Sequence, residues 1–493
     1  PRIHELIDLA RALEGMPRHA STHAAGVVIT REPVESYVPI QQNDGVIVTQ
    51  FTMNILEELG LLKMDFLGLR NLTVIHKAQE LIRQGQPDFD AGAIPLDDRA
   101  TFEMLSAGQS SGVFQFESEG MRQVITQLKP ASIEDLAAVV ALYRPGPMDS
   151  IPVYIENRHH PEKIIYLHPK LKPILDVTYG CIVYQEQVMQ ICRDLAGYSY
   201  GQADMVRKAM SKKKADIMQK EREKFIYGST RPDGTVECTG CVAGGVPEET
   251  AIAIFDQMSS FASYAFNKPH ATAYAHVAYQ TAYLKCHYPM EYMAALLTCM
   301  LDNVNKVTEY MAECTRRGIK TLPVDVNKSE EGFTVTQEGI RFGLLAVKSI
   351  GKGFIRELTA QRSQRPFDSF FDFCQRMYGG EIGRRTMDSL IKSGAFDSIS
   401  PNRRQLLQAY GPIMDELERT HKNNLDGQLD LFALPGEEGE QARKPEDYVL
   451  PPAVDFTPAE RLAMEKEVTG IYISGHPLQE YRPLMERIRA DSL

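Results

Sequence analysis

The chain has 493 residues, enough for about three or four domains of ordinary size, and its 43% hydrophobic and 24% charged residues are typical of a soluble globular protein. It contains no apolar run long enough to cross a membrane, so a protein built on membrane-spanning helices is excluded. The formal net charge of −11 argues against a uniformly basic nucleic-acid binder, although a basic channel can exist within an acidic protein.

Eight cysteines are spread thinly over the chain, a usage that indicates reduced thiols and a cytoplasmic protein. The first residue is Pro1 rather than methionine, and it stands at the start of a segment with helical spacing. We therefore expect the chain to be an internal piece of a longer protein.

The spacing of apolar residues predicts helices over most of the chain and a few strands. The first helix is predicted over 3–14, before Gly15 and Pro17 stop it. A polar, acidic stretch that contains proline and glycine predicts a linker over 421–453. The other predicted segments are strands over 25–30, 46–51 and around Asp65, a mostly helical region over 112–320, strands and turns over 321–342, a helical region over 344–420, a helix over 458–466 and a strand over 469–473.

A single carboxylate, Asp65, lies within the apolar run at 62–70 and follows Lys63 by two residues. Burying an ionised carboxylate is costly unless a cation compensates it, so the pattern predicts either an ion pair or a metal ligand. The ion pair, with Lys63 or Arg70, is the commoner arrangement when spacing alone is considered. A pair of hard cations held by carboxylates is what nucleotidyl transfer requires.

The segment KMDFLGLRNLTVI, at 63–75, resembles the strand that carries the third catalytic aspartate in the C family of bacterial replicative DNA polymerases, the DNA polymerase III alpha subunits. The residues of this segment resemble those of the DnaE type of the family more than those of the PolC type. The resemblance implies that Asp65 is catalytic and binds two Mg²⁺ ions, which it shares with two aspartates on an upstream strand. No matching pair precedes Asp65 in this chain, so we expect both aspartates to lie outside it.

The segment RHASTHAAGVVI, at 18–29, matches the same family as the start of its second palm segment. The resemblance makes Arg18 and Lys63 candidates for binding template or primer phosphates. His19 and His23 have a spacing that suits zinc on a helix, but no third ligand is nearby and the residues that follow disfavour a helix. We therefore do not expect zinc at this pair.

The resemblance covers essentially the whole chain in family order. It implies an α+β fold that is predominantly helical and divided into several domains. These are the end of the thumb (1–20), the second segment of a Pol-beta-like palm (21–70), helical fingers (71–325), a helix-hairpin-helix and clamp-binding domain (326–455) and the start of an oligonucleotide-binding (OB) fold (456–493).

The strongest basic cluster lies in GYSYGQADMVRKAMSKKK, at 197–214, which resembles the fingers of the family. The resemblance implies that Arg207 and Lys208 face the incoming triphosphate and neutralise its charge. A solvated helix surface is the alternative that charge alone leaves open. The implied DNA contacts in this segment are Lys212, Lys213 and Lys214.

A second fingers-like signature, SYAFNKPHATAY at 263–274, implies that Lys268 and His270 lie near the nucleotide pocket. The alternative is a helix N-terminus packed under Tyr264 and Phe266. Rigid turns and helix caps explain three further family matches, to which we assign no catalytic role, at 112–118, 143–148 and 180–187.

The segment LLAVKSIGKGFI, at 344–355, resembles a helix-hairpin-helix, in which Gly351, Lys352 and Gly353 would bring backbone amides to a DNA phosphate. Such contacts position duplex DNA without reading its sequence. Cys238 and Cys241 have the spacing of a zinc knuckle. The other two ligands of a structural zinc are not evident close by, so zinc is not expected there.

The peptide QLDLF, at 428–432, resembles the short motif that binds the bacterial sliding clamp. Its apolar side chains stand in an acidic stretch with no obvious core to join, so a groove on a partner can bury them. The alternative is a loop pinned to its own domain. The implied clamp contacts are Gln428, Leu429, Asp430, Leu431 and Phe432.

The resemblance implies template-directed DNA synthesis on primer–template DNA with deoxynucleoside triphosphates. The implied partners are the sliding clamp, the clamp loader and a proofreading exonuclease, and no membrane is expected. Two alternatives stay open: the chain is a DNA- and clamp-binding module without activity, or it belongs to an error-prone paralogue of the family. We expect the 493-residue chain alone to be inactive, because most of the palm is absent from it.

Overall fold

A computed structural model describes residues 2–16, 22–23, 25–43, 45–211, 215–262, 265–380, 382–425, 448–478 and 481. It divides into two compact units, Pro1–Arg70 and Asn71–Leu493. Helices predominate and the strands are few and short, which confirms the expected predominantly helical α+β class. No helix in the described ranges is both long and apolar enough to cross a membrane.

The first unit contains two separate two-stranded antiparallel sheets. Strand β1 (Gly26–Ile29) pairs with β4 (Leu62–Asp65), and β2 (Ile40–Asn43) pairs with β3 (Val46–Thr49), which directly follows Gly45 with its φ of +81°. The predicted first helix is confirmed as α1, although all of its described side chains are exposed. The elements are α1 (Arg2–Leu13), β1 (Gly26–Ile29), β2 (Ile40–Asn43), β3 (Val46–Thr49), α2 (Met53–Glu58) and β4 (Leu62–Asp65).

The first half of the second unit is a set of packed helices. Several of them begin at a side chain that accepts a hydrogen bond from the first turn, for example Ser118, Ser132 and Asn267. The helices are α3 (Arg70–Arg83), α4 (Arg99–Ser106), α5 (Glu119–Leu128), α6 (Ile133–Leu142), α7 (Ile151–His159), α8 (Lys172–Leu175), α9 (Gln185–Ala196), α10 (Tyr200–Ser211) and α11 (Ala215–Tyr227).

The chain then forms a short antiparallel pair and four more helices. The elements are β5 (Ser229–Thr230), β6 (Val236–Cys238), α12 (Glu248–Ala262), α13 (Lys268–His287), α14 (Pro289–Cys299) and α15 (Val304–Arg316). Helix α13 packs along α6 with small side chains at their contact, which lets the two helices approach closely. The buried alanines of α13 in this contact are Ala271, Ala275, Ala278 and Ala282.

The last region combines a three-stranded sheet with five helices. In the sheet β9 lies between β7, which is parallel to it, and β8, which is antiparallel. Buried aromatic rings fill the core, with Phe370 and Phe373 both packing edge-on against Phe396. The elements are β7 (Thr321–Leu322), β8 (Thr334–Thr336), β9 (Gly339–Arg341), α16 (Lys352–Gln364), α17 (Phe370–Arg376), α18 (Arg384–Ser393), α19 (Arg403–Leu425) and α20 (Pro458–Thr469).

The strand predicted over 469–473 is wrong. Helix α20 continues to Thr469 and ends at Gly470, whose φ of +82° forms a left-handed cap. Ile471 then enters the same buried core as α16, α17 and α18. Thr469 and Ile471 are therefore buried by a turn at a helix end rather than by a sheet.

Candidate functional site

The predicted catalytic carboxylate lies at the end of β4, opposite Gly26 of β1. Lys63 and Asp65 are two residues apart on one strand and point to the same face, where Lys63 Nζ is 2.6 Å from Asp65 Oδ1. A Cβ atom at position 26 would lie 2.6 Å from Lys63 Cε, 2.8 Å from His23 Nδ1 and 2.9 Å from Asp65 Oδ1. Glycine at this position leaves room for these three side chains to meet.

The carboxyl group of Asp65 is ionised at neutral pH. The hydrogen bond from Lys63 lowers the pKa of Asp65 below its ordinary value, and the charges of Lys63 and His23 act in the same direction. His23 Nδ1 accepts hydrogen bonds from the backbone N–H groups of Gly26 at 2.6 Å and Ala25 at 3.2 Å. That nitrogen is therefore engaged by the local turn and is not available to a metal ion.

The carboxylate of Asp65 lies at an exposed position of this chain. Its side chain is 42% exposed, and the neighbouring Leu62, Met64 and Phe66 are also exposed. Among the residues that the structure describes, β4 pairs only with β1, in a two-stranded sheet. An apolar run predicts burial only where a second layer covers it, and the cost of burying the charge therefore does not apply here.

A metal ion is implied by the proposed chemistry, so the fit of the available ligands matters. An exposed, ionised carboxylate suits one coordination position of a hard divalent cation. In the ranges that the structure describes, no group of three or more His, Cys, Asp or Glu side chains is arranged to hold a metal ion. Asp65 therefore fits as one ligand of a shared site, and this part of the chain does not complete the coordination.

The two predicted triphosphate contacts on α10 share one carboxylate. Asp204 Oδ1 accepts hydrogen bonds from Arg207 Nε at 2.9 Å and Nη2 at 2.7 Å, and Lys208 Nζ lies 2.8 Å from Asp204 Oδ2. The hydrogen bonds from Lys208 and Arg207 lower the pKa of Asp204 below its ordinary value. One turn of helix spaces these residues so that both cations are held at a single point.

A glutamine links these cations to the start of α13. Arg207 Nη1 donates to Gln185 Oε1 at 3.1 Å, and Gln185 Nε2 donates to the carbonyl of Ala265 at 3.0 Å. The backbone N–H of Gln185 also donates to the carbonyl of Phe266 at 2.9 Å, beside a parallel bridge between Tyr184 and Phe266. The basic helix and the second fingers-like signature therefore meet at Phe266.

The start of α13 is already engaged by a carboxylate of the chain. Glu186 accepts a hydrogen bond from Asn267 Nδ2 at 2.9 Å and another from the backbone N–H of Lys268 at 3.0 Å. Asn267 caps the helix by accepting from the N–H of His270. The ammonium group of Lys268 lies 5.6 Å from the centre of the Tyr184 ring.

Aromatic rings form a row on the exposed side of this helix start. The ring of His270 is 5.3 Å from that of Phe266 and 4.3 Å from that of Tyr274. The guanidinium of Arg144 lies over the ring of Phe266, with its carbon 4.7 Å from the ring centre. The structure thus brings together Arg207, Lys208, Lys268 and His270 around the Phe266 junction.

Sequence reasoning missed four residues of this junction, namely Arg144, Gln185, Glu186 and Asp204. Arg144, Gln185 and Glu186 lie in segments that had been assigned only to turns and caps. Their contacts join residues as far apart as Glu186 and Asn267, which helix and strand periodicity does not connect. The one usable signal was the i, i+3 and i, i+4 spacing of Asp204 from Arg207 and Lys208.

The predicted DNA-binding hairpin forms the start of α16. Gly351 is its N-cap, without a side-chain cap, and Lys352 and Gly353 occupy the first two helical positions. Thr386, near the start of α18, donates to the carbonyl of Ser349 at 3.0 Å, so two helix starts meet at this turn. The ammonium of Lys352 is 3.0 Å from Glu331 Oε1.

Several predicted contacts lie outside the described residues. They are Arg18, Lys212, Lys213, Lys214, Gln428, Leu429, Asp430, Leu431 and Phe432. The two cysteines of the CxxC motif are described, and both are buried. Cys238 Sγ donates to the carbonyl of Lys224 at 3.7 Å, and burial raises the pKa of Cys241 to about 12, so both behave as packed thiols.

A second lysine–carboxylate pair, Lys285 and Glu313, is buried between α13 and α15. Lys285 Nζ lies 2.7 Å from Glu313 Oε1 and also donates to the carbonyls of Gln109 and Ser111. Burial raises the pKa of Glu313, but hydrogen bonds and charges from Lys285, with further hydrogen bonds from Arg316 and Arg317, outweigh it and hold that pKa at about 2.

Three family models match the chain. The finger domain of the bacterial DNA polymerase III alpha subunit matches residues 71–232, a helix-hairpin-helix motif matches residues 318–406, and the model described as the bacterial DNA polymerase III alpha NTPase domain matches residues 1–68. The match to the helix-hairpin-helix model includes the Gly351 turn.

Curated relatives named DNA polymerase III subunit alpha match nearly the whole chain. The protein from Thermus aquaticus is 44% identical over 98% of this chain and 38% of its own length. The protein from Bacillus subtilis is 42% identical over 97% of this chain and 41% of its own length. The protein from Escherichia coli is 40% identical over 98% of this chain and 42% of its own length. The chain thus spans about two fifths of the length of these relatives, and it belongs to the family of bacterial DNA polymerase III alpha subunits.

Proposed function

We propose that this chain is part of a DNA-directed DNA polymerase, the catalytic alpha subunit of a bacterial replicative polymerase that adds deoxynucleotides to a primer 3′-hydroxyl. The observation that best supports the proposal is the exposed, ionised carboxylate of Asp65, held beside Lys63 in a chain of this family. A carboxylate in that state suits a hard cation without first losing a proton.

Asp65 contributes one ligand to a pair of Mg²⁺ ions in this proposal. The chemistry supplied by the bound ions is charge neutralisation at the attacking and leaving oxygens of nucleotidyl transfer. The other carboxylates come from the part of the relatives' length that this chain does not span. Exposed apolar side chains on both strands of the β1–β4 pair, Val27 and Ile29 with Leu62 and Met64, support a sheet that continues beyond these two strands.

The cations around Phe266 bind the triphosphate. Asp204 and Gln185 fix the guanidinium of Arg207, so that little conformational freedom is lost when a phosphate arrives. Lys208 is exposed and tethered to the same carboxylate. Lys268 and His270 complete the group, with the imidazole held between two aromatic rings.

DNA contacts are proposed at the hairpin of Gly351, Lys352 and Gly353, at Lys63, and at Arg18 with Lys212, Lys213 and Lys214. Two helix starts that meet at one turn, both capped by glycine, support a phosphate contact there. The peptide at 428–432 is proposed to bind the sliding clamp, in a cytoplasmic replisome that includes a clamp loader and a proofreading exonuclease.

The test uses a polymerase of the relatives' length that carries this chain. Changing Asp65→Asn should lower nucleotide incorporation by about 10³-fold, because an electrostatic contact at the reacting centre is lost. Affinity for primer–template DNA should stay unchanged. Glu57→Gln, an exposed carboxylate of the same unit, is the matched control and should incorporate normally.

Incorporation by Asp65→Asn at the level of the control would contradict the proposal. The second candidate function is a DNA- and clamp-binding module without activity. The lack of a three-ligand metal group in the described ranges favours it for the 493-residue chain by itself. We expect that chain to bind primer–template DNA but not to extend it, and extension would rule the second candidate out.

A further inference from the structure

Arg144 lies in a rigid turn that directs its side chain to the Phe266 junction. The turn follows α6 and contains Pro145, Gly146 and Pro147, of which Gly146 has a φ of +106° that favours glycine. The guanidinium stacks over Phe266, with its carbon 4.7 Å from the ring centre. The prolines restrict the backbone of this turn, and the contact with the Phe266 ring orients the guanidinium without a hydrogen bond.

The cations around Phe266 differ in how far their donors are used. Arg207 donates to both Asp204 and Gln185, and Lys208 is paired with Asp204. Within the described ranges, the guanidinium of Arg144 makes the ring contact but has no hydrogen-bond or ion-pair partner. Its N–H groups are therefore open to a ligand.

A stacked guanidinium keeps its in-plane N–H groups available. These five donors form a planar fork that matches two oxygens of a phosphate, and stacking on an aromatic face orients the fork without occupying it. The ring beneath Arg144 is also the neighbour of His270, at 5.3 Å. A phosphate bound by Arg144 would thus lie close to the ring that His270 also contacts.

We propose that Arg144 is a binding residue for a phosphate oxyanion. The proposal rests on the proposed function and extends it, since it adds a cation that the family resemblance did not assign. The phosphate belongs either to the nucleoside triphosphate or to the DNA backbone, because a guanidinium fork recognises both.

The experiment measures equilibrium binding to the full 493-residue chain. The two probes are a fluorescent, non-hydrolysable deoxynucleoside triphosphate with Mg²⁺ and a fluorescent primer–template duplex. Arg144→Ala should weaken binding of one probe by about tenfold or more, the size expected for a lost charge-assisted contact. Arg144→Lys should retain only part of the lost affinity, because an ammonium lacks the planar fork.

The matched control is Arg193→Ala. Arg193 also stacks on a ring, 5.1 Å from the centre of Tyr200, but it is paired with Asp194 and lies away from Phe266. The Arg193→Ala variant should bind both probes as the unaltered chain does. Thermal unfolding of each variant checks the fold, and Phe266→Leu should weaken the same probe while adding little to Arg144→Ala, because it removes the platform of that side chain.

Each outcome has a distinct meaning. Weaker triphosphate binding identifies the nucleotide as the source of the phosphate, and weaker duplex binding identifies the DNA backbone. If Arg144→Ala binds both probes like the unaltered chain while Arg207→Ala does not bind the nucleotide, the proposal for Arg144 is overturned and the proposed function stands. If the unaltered chain binds neither probe, the proposal for Arg144 is overturned, whereas the proposed function is decided separately by the incorporation assay with Asp65→Asn.

Discussion

Two lysine–carboxylate pairs of nearly equal length lie in opposite environments in this protein, one exposed and the other buried. The Nζ–O distance is 2.6 Å between Lys63 and Asp65 and 2.7 Å between Lys285 and Glu313. The first pair is open, with Asp65 42% exposed, whereas the second is closed, with Lys285 fully buried and Glu313 8% exposed. Distance alone therefore does not separate an exposed carboxylate pair from a buried one.

The surroundings explain the difference. Lys285 also donates to two backbone carbonyls, and two arginines pair with Glu313, so both oxygens of this carboxylate are already occupied by cations of the chain. Asp65 has a lysine on one oxygen and solvent access. A carboxylate that serves a metal ion has to remain accessible, and a carboxylate that holds helices together does not.

The closed pair should carry the larger share of stability. Lys285→Met removes the shortest ion pair of Glu313 and leaves two buried carbonyls without their donor, while Arg316 and Arg317 still pair with the carboxylate, so the unfolding free energy should fall by about 1–3 kcal/mol. Chemical denaturation of the chain measures the change. Lys63→Met is the matched control and should unfold like the unaltered chain. Equal losses of unfolding free energy in both variants would show that the two pairs contribute equally to stability.

The open pair should be sensitive to local geometry rather than to stability. Gly26→Ala places a Cβ against the ends of Lys63, His23 and Asp65, all of which can shift without moving the backbone. Incorporation by a polymerase of the relatives' length should fall by about 10- to 100-fold, because a displaced catalytic group is costly. Gly68→Ala is the control, since a Cβ there meets nothing within 4 Å.

Normal incorporation by Gly26→Ala would mean that the meeting of these side chains has no catalytic importance. Thermal unfolding of the same variants provides the second half of the comparison. We expect little change for either glycine substitution, because the atoms that must move at position 26 are the ends of side chains.

The smallest expected effect is an acid dependence of the closed pair. The pKa of Glu313 is held at about 2, below its ordinary value of 4.5, so its contribution to stability is complete above the unfolded pKa and is lost as the pH falls from 4.5 towards 2. Denaturation of the chain over this range should show a shallower loss of stability for Glu313→Gln than for the unaltered chain. Identical slopes would contradict the assignment.

Much of the fold follows from local patterns, but the exposure of Asp65 does not. Periodicity and stop signals predict α1, and the small and β-branched residues near Val27 predict β1. Whether the apolar run around Asp65 is buried depends on how many strands surround it, and residues 62–70 carry no information about that. The ion pair with Lys63, one of the two arrangements that the pattern left open, forms because an i, i+2 contact is local.

The Phe266 junction shows the same limit of prediction from sequence. Arg207 and Lys208 could be selected from charge and resemblance, whereas their coupling to Gln185 and Phe266 depends on contacts between segments distant in the chain. Arg144 was recognised as part of a turn, but the ring that it covers lies more than a hundred residues later. Long-range packing decides which of several plausible cations keeps its donors open.

The most direct test of the central claim, that Asp65 is an accessible metal ligand, is metal rescue of Asp65→Cys in a polymerase of the relatives' length. A thiolate is a poor ligand for Mg²⁺ and a better one for Mn²⁺ or Cd²⁺. The account predicts that Asp65→Cys incorporates almost nothing with Mg²⁺ and gains about tenfold or more with the softer ions, relative to the unaltered enzyme. The same relative activity with all three ions would contradict it.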